Sequence, residues 1–152
     1  MPSTDEYSRE ISEQTISDSR LWVYKKDSPH HRLLRNNAVV TRGDIIQLVY
    51  RTEERHMVIL SKDGNGHVTV HYPENEPCNT AVSTRGRHVP LRSSFELDDA
   101  PGYEHFFVVT ASEPISVERL RAAFDETPDP DLGATPLPGK AHIAAELRLN
   151  KR

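Results

Sequence analysis

DIIQLVYR at 44–51, HMVILS at 56–61 and HVTVHY at 67–72, with the turn Asp63-Gly64-Asn65-Gly66 ahead of the last run, decide the fold class of this chain. Each run is rich in β-branched and aromatic residues and alternates apolar with polar positions, the pattern of a strand that buries one face. The glycines and Asn65 supply the positive φ angles that a right-twisted hairpin needs. The three runs are therefore expected to form an antiparallel β-meander.

The same reading extends outward. Leu21-Trp22-Val23-Tyr24 is a further β-rich run that ends in Lys25-Lys26-Asp27 and a turn at Pro29. Arg35-Asn36-Asn37 marks a turn, and Ala38-Val39-Val40 a short strand before Gly43. Downstream, Pro73 and Pro77 close the third run, and 74–87 reads as an exposed loop. Short strands are expected at 88–91 and 94–97 and a strong one at 104–110 (EHFFVVT), after the turn Asp98-Asp99-Ala100-Pro101-Gly102. Ser116 is a candidate N-cap, and Val117, Leu120 and Phe124 recur at helical spacing, so one short amphipathic helix is expected over 116–125. Prolines at 128, 130, 136 and 138 predict an extended connection over 127–139. The tail HIAAELRL at 142–149 has a helical composition, yet its apolar residues alternate as in a closing edge strand, and both readings stand. About seven short strands separated by turn signals make the chain mainly β, an immunoglobulin-like antiparallel β-sandwich with one short helix.

The chain has 152 residues, enough for one domain that needs no disulfide or metal to hold a core. Its 36% hydrophobic content and mean hydropathy of −0.64 are low for a compact domain, so part of it is expected to stay outside the core. Residues 1–19, polar and without periodicity, are expected to be a disordered leader or linker, with the sandwich occupying 20–152. No apolar run reaches the ~18 residues of a membrane-spanning helix. The first 20 residues hold no signal-peptide core. Read as a complete protein, the chain is expected in the cytoplasm. An excised domain would show the same features.

Charge is unevenly spread. Residues 20–92 hold 12 Lys and Arg against 7 Asp and Glu, with six of the eight histidines, while both flanks are acidic. A positive centre suits an anionic partner. Its best candidate contact is Arg85, Arg87 and His88 with Arg92 nearby, a basic segment without the interleaved aromatics that nucleic-acid binding calls for.

Other constellations carry less. Cys78 is the sole cysteine and has no cation within three residues to stabilise a thiolate. His67 and His71 share a strand face but stand four residues apart, roughly 13 Å, too far to chelate one ion unaided. His30 and His31 are expected in a turn with diverging side chains, so no metal or other cofactor is expected. Asp63 opens a run reminiscent of a calcium loop, with Glu74 at its twelfth position, but Val68 stands where the sixth-position glycine belongs, and a hairpin fits better. The acids Glu96, Asp98, Asp99 and Glu104 fit turn chemistry. They and the histidines are also what the alternative activity requires, a metal- or carboxylate-dependent hydrolase of cell-wall polymer. No nucleophile elbow, zinc-protease helix, phosphate loop or dinucleotide fingerprint occurs.

Taken in order, LWVYKK at 21–26, GDIIQLVYR at 43–51, VILSKDGNGHVTVHYP at 58–73 and VPLRSSFELDDAPGYEHFFVVTASEPI at 89–115 resemble a bacterial domain family of unknown function found in cell-envelope and signalling proteins. The resemblance spans nearly everything but the leader. It implies a non-catalytic, immunoglobulin-like sandwich, often carried behind a membrane helix in anti-sigma-factor-like or sensor proteins. By it, the chain is expected to be extracytoplasmic or periplasmic, with a protein partner or an envelope ligand, bound by a loop face or a strand edge. It transfers no catalytic residue.

Overall fold

The computed structural model describes residues 19–27, 29–74, 79–128 and 131–152. Of the leader expected over 1–19, residues 1–18 lie outside the described residues, as does Cys78; Ser19 is buried against Thr52 and belongs to the sandwich. The rest is a two-sheet β-sandwich with one short helix. Strands β1 (Arg20–Asp27), β2 (His30–Leu34), β4 (Ile45–Arg51) and β7 (Val89–Pro90) form the first sheet in the order β2-β1-β4-β7, and β8 (Phe95–Glu96) also pairs with β4. The second sheet runs β3-β10-β9-β5-β6, from β3 (Ala38–Val40), β10 (His142–Lys151), β9 (Tyr103–Ala111), β5 (His56–Asp63) and β6 (Val68–Tyr72). Every pairing is antiparallel except β3 with β10, which is parallel, so the second sheet is mixed.

Burial patterns explain which strand goes where. In β4 the residues Ile46, Leu48 and Tyr50 are buried and their neighbours are half-exposed, so only one face is covered. In β5 and β9 both faces are buried, so 56–61 is covered on two sides rather than on the one face expected of it, as its continuous VIL, like FFVV in β9, requires. One face sends Met57, Ile59, Phe106 and Val108 into the core between the sheets, where Val23, Leu34 and Leu149 join them. The other sends Val58, Leu60, Phe107 and Val109 against Leu120 and Phe124 of helix α1 (Val117–Glu126) and against Leu132. Burying a side chain such as Phe124 stabilises the layer by about 2–3 kcal/mol.

This corrects the expected meander. β5 and β6 do pair as a hairpin through Asp63, whose Oδ1 accepts from Asn65 N (2.9 Å) and His67 N (3.0 Å). β4, however, pairs with β1, and residues 52–55 carry the chain across to the second sheet. A strand apolar on both faces needs cover on both sides, and only the second sheet offers it.

Helix α1 matches its expected span. Ser116 Oγ accepts from Arg119 N (3.3 Å), and Glu118 lies in the first turn. The last turn has no basic residue of its own. Lys62 of β5, only 5% exposed, supplies the cation: its Nζ donates to the carbonyls of Phe124 (2.8 Å), Asp125 (3.2 Å) and Thr127 (2.8 Å).

Four local expectations change. His30 and His31 belong to β2, not to a turn, although their side chains still diverge across its two faces. The described part of 74–87 is not uniformly exposed: Thr80 and Val82 are buried, and Met57 N and Val82 N bond to Thr80 O and Arg55 O (both 2.9 Å). Within 127–139 a short 3₁₀ helix, Asp131–Ala134, drives Leu132 into the layer under α1. The tail is a strand, β10, but an interior one between β9 and β3 rather than a closing edge. Among the described residues no helix is long and apolar enough to cross a membrane.

Candidate functional site

Two surfaces gather uncommitted polar and aromatic groups. The first is the outer face of the first sheet. Because Val23 is fully buried, the alternate residues Arg20, Trp22, Tyr24 and Lys26 point the other way, away from the core. Register sets Trp22 beside Val49, Val49 beside Pro90, and Tyr24 between Gln47 and Leu33, the last 44% exposed. Arg51 shares this side, where it pairs with Glu53 (3.7 Å), and Glu96 lies opposite Ile45 in register.

The basic segment flanks this face. Gly86 takes φ +75° and donates its N–H to Thr52 O (2.9 Å), and Thr52 is itself buried against Ser19 Oγ (2.7 Å). The turn so anchored holds Arg85 and Arg87 exposed and lays the His88 ring over Trp22, centroids 4.4 Å apart at 36°. Of the four residues expected to act together, Arg85, Arg87 and His88 are brought to this rim. Arg92 lines a different feature.

That feature is a cleft of about 570 Å³ between residues 79–84 and β7. Tyr50 and Tyr72 line it, with ring centroids 5.7 Å apart. The Tyr72 hydroxyl donates to Ala81 O. Glu74 is fixed at the rim, Oε1 accepting from Ser93 N (3.1 Å) and Oε2 from Arg92 N (3.3 Å). Burial, with Tyr72 and Glu74 close by, pushes the Tyr50 hydroxyl up to about 12. Tyr72 is raised for the same reasons, burial first and then Glu74.

Of the histidines and acids singled out in the sequence, His71, Glu104 and Asp98 are joined, in a polar seam at one end of the inter-sheet core. His71 sits at a bulge of β6, stacked on Phe95 (4.7 Å, 28°), with Nε2 2.8 Å from Ser61 Oγ. Ser61 is fully buried and donates to Glu104 Oε1 (2.9 Å), so the imidazole must donate to Ser61 from Nε2. Glu104 Oε2 and Asp98 Oδ1 each lie 3.1 Å from Lys151 Nζ. Burial pushes His71 down to about 4 and raises Glu104 despite Lys151 and Ser61. The Ala100 N–H, then Lys151, holds Asp98 below its usual range. Here the hydroxyl sits between imidazole and carboxylate, so the acid does not orient the imidazole, and the serine is closed to solvent. Among the described residues no three His, Cys, Asp or Glu side chains converge to hold a metal ion.

Sequence reasoning did not single out Trp22, Tyr50 or Tyr72. The first was accessible, since alternation in LWVYKK places Trp22 opposite Val23. The cleft was not, because it joins β4 of one sheet to β6 of the other. Neither family models nor curated protein sequences give a match for this chain.

Proposed function

We propose that this chain is a non-catalytic binding or sensory domain of a bacterial cell-envelope or signalling protein, acting outside the cytoplasm, and that it meets an acidic protein segment or an anionic envelope ligand with the outer face of its first sheet. The observation that carries this reading is the tilted Trp22–His88 ring pair beside Arg85 and Arg87, which make no ion pair among the described residues. Partly exposed aromatic surface rimmed by uncommitted cations is the composition of recognition surfaces, where an aromatic anchor supplies contact area and rim charges steer the partner. Support for the setting comes from the ordered segments that resemble envelope and signalling domains. An anti-sigma-factor-like regulator fits that setting.

Trp22 is the only tryptophan, so its emission reports on this surface alone. Titration with a polyglutamate peptide, and separately with anionic phospholipid vesicles, is expected to give a saturable emission change with at least one of them. The change should weaken at high salt and in Arg85→Ala/Arg87→Ala. Unchanged emission with both probes, or amide shifts confined to residues 1–19, defeats the proposal.

A further inference from the structure

The cleft presents a different chemistry from the basic rim. Tyr50 is 3% exposed, and its hydroxyl opens into the cleft with no hydrogen-bond partner among the described residues. The ring is packed away while the hydroxyl stays open to the cleft, where a ligand hydroxyl can take the place of water. At the rim, each Glu74 oxygen has one backbone N–H and keeps a second lone pair. Arg92 and Asn79 supply donors, and Tyr72 and Pro90 supply apolar wall. Carboxylate, guanidinium, amide and phenol around one half-apolar cleft match a ligand that offers alternating hydroxyl donors and acceptors on a ring with a C–H face. An extended peptide fits poorly, because Pro90 leaves the β7 rim without an N–H there.

We propose that this cleft binds a neutral mono- or disaccharide, one hydroxyl of which bonds to the Tyr50 hydroxyl. The volume of about 570 Å³ lies within the usual range for small-molecule sites. Tyr50 stays protonated far above neutral pH, and Glu74 disfavours a second negative charge beside it, which sets neutral sugars ahead of uronic acids. This inference is independent of the anionic-partner reading, since it uses other residues.

The test is amide and tyrosine-ring NMR of the full chain, with a panel of neutral mono- and disaccharides in gluco, galacto, manno and N-acetyl configurations at millimolar concentration. A galacturonate oligomer and a proline-rich peptide serve as the other arms. The expected result is saturable shifts at 72–74, 79–84 and 89–92 with at least one neutral sugar, and roughly tenfold weaker binding by Tyr50→Phe. Asn79→Ala, at an exposed position, should weaken binding severalfold and covers the case in which Tyr50→Phe does not fold. No saturable shift from any neutral sugar, binding of the charged oligomer or the peptide alone, or affinity untouched by the substitutions overturns the proposal.

Discussion

Acidification should destabilise this domain through His71. Burial holds its imidazole at about 4 against an ordinary value of 6.5. Above 6.5 the ring is neutral in both the folded and unfolded chain and adds no pH dependence. Between 6.5 and about 4 the unfolded chain takes a proton that the folded chain refuses, so stability falls with pH and levels off below about 4. At about 1.4 kcal/mol per pH unit, the full difference is about 3 kcal/mol, and about 2 kcal/mol is lost by pH ~4.5 once the ring's remaining solvent contact is discounted. Glu104 acts in the opposite sense: its raised value means the folded state protonates first, so acid favours it. The two are separated by comparing the native chain with His71→Gln, whose amide can still donate to Ser61 Oγ but does not titrate. Urea unfolding followed by Trp22 emission at pH ~7, ~5.5 and ~4.5 should show the native chain losing about 2 kcal/mol more than the variant. Equal losses in the two proteins, or an imidazole NMR titration near 6.5, would refute the reasoning.

Two further outcomes follow from packing. Lys62→Met removes the donor to three carbonyls at the end of α1 and should cost about 2–4 kcal/mol, read as a fall in melting temperature; an unchanged melt contradicts the capping role. Gly64→Ala would place a Cβ 1.6 Å from Pro101 O, so the 63–66 and 98–102 turns must separate. A loss of about 2–4 kcal/mol is expected in denaturant unfolding, against about 1 kcal/mol for Gly102→Ala, which meets open space at φ +88°. Equal effects of the two substitutions would show that the close approach at Gly64 is not the constraint.

Much of the candidate site lies one inference from the sequence. Arg85, Arg87 and His88 are conspicuous as a basic run, and strand alternation alone turns Trp22 outward. Their meeting depends on β7 pairing with β4 and on Gly86 bonding to Thr52, contacts between segments more than 30 residues apart. The cleft was less legible still, since Tyr50 reads only as a core tyrosine of β4 and Tyr72 as the end of a hairpin. Lys62 follows Ser61 in a strand and resembles any surface lysine until the helix end arrives over it.

Local chemistry by itself determined most of the strands, though not β2 or the tail, together with the Asp63–Gly66 hairpin, the cap at Ser116 and the mainly β class, because period, turn residues and capping groups act over a few neighbours. Tertiary structure alone decided that β4 and β5 part into different sheets, that HIAAELRL becomes an interior strand, and that Leu132 is buried amid prolines. The physical reason is that burial belongs to pairs of surfaces: a run apolar on both faces declares that it needs two covers, and only the folded chain shows that the first sheet supplies one and α1 with the 3₁₀ helix the other.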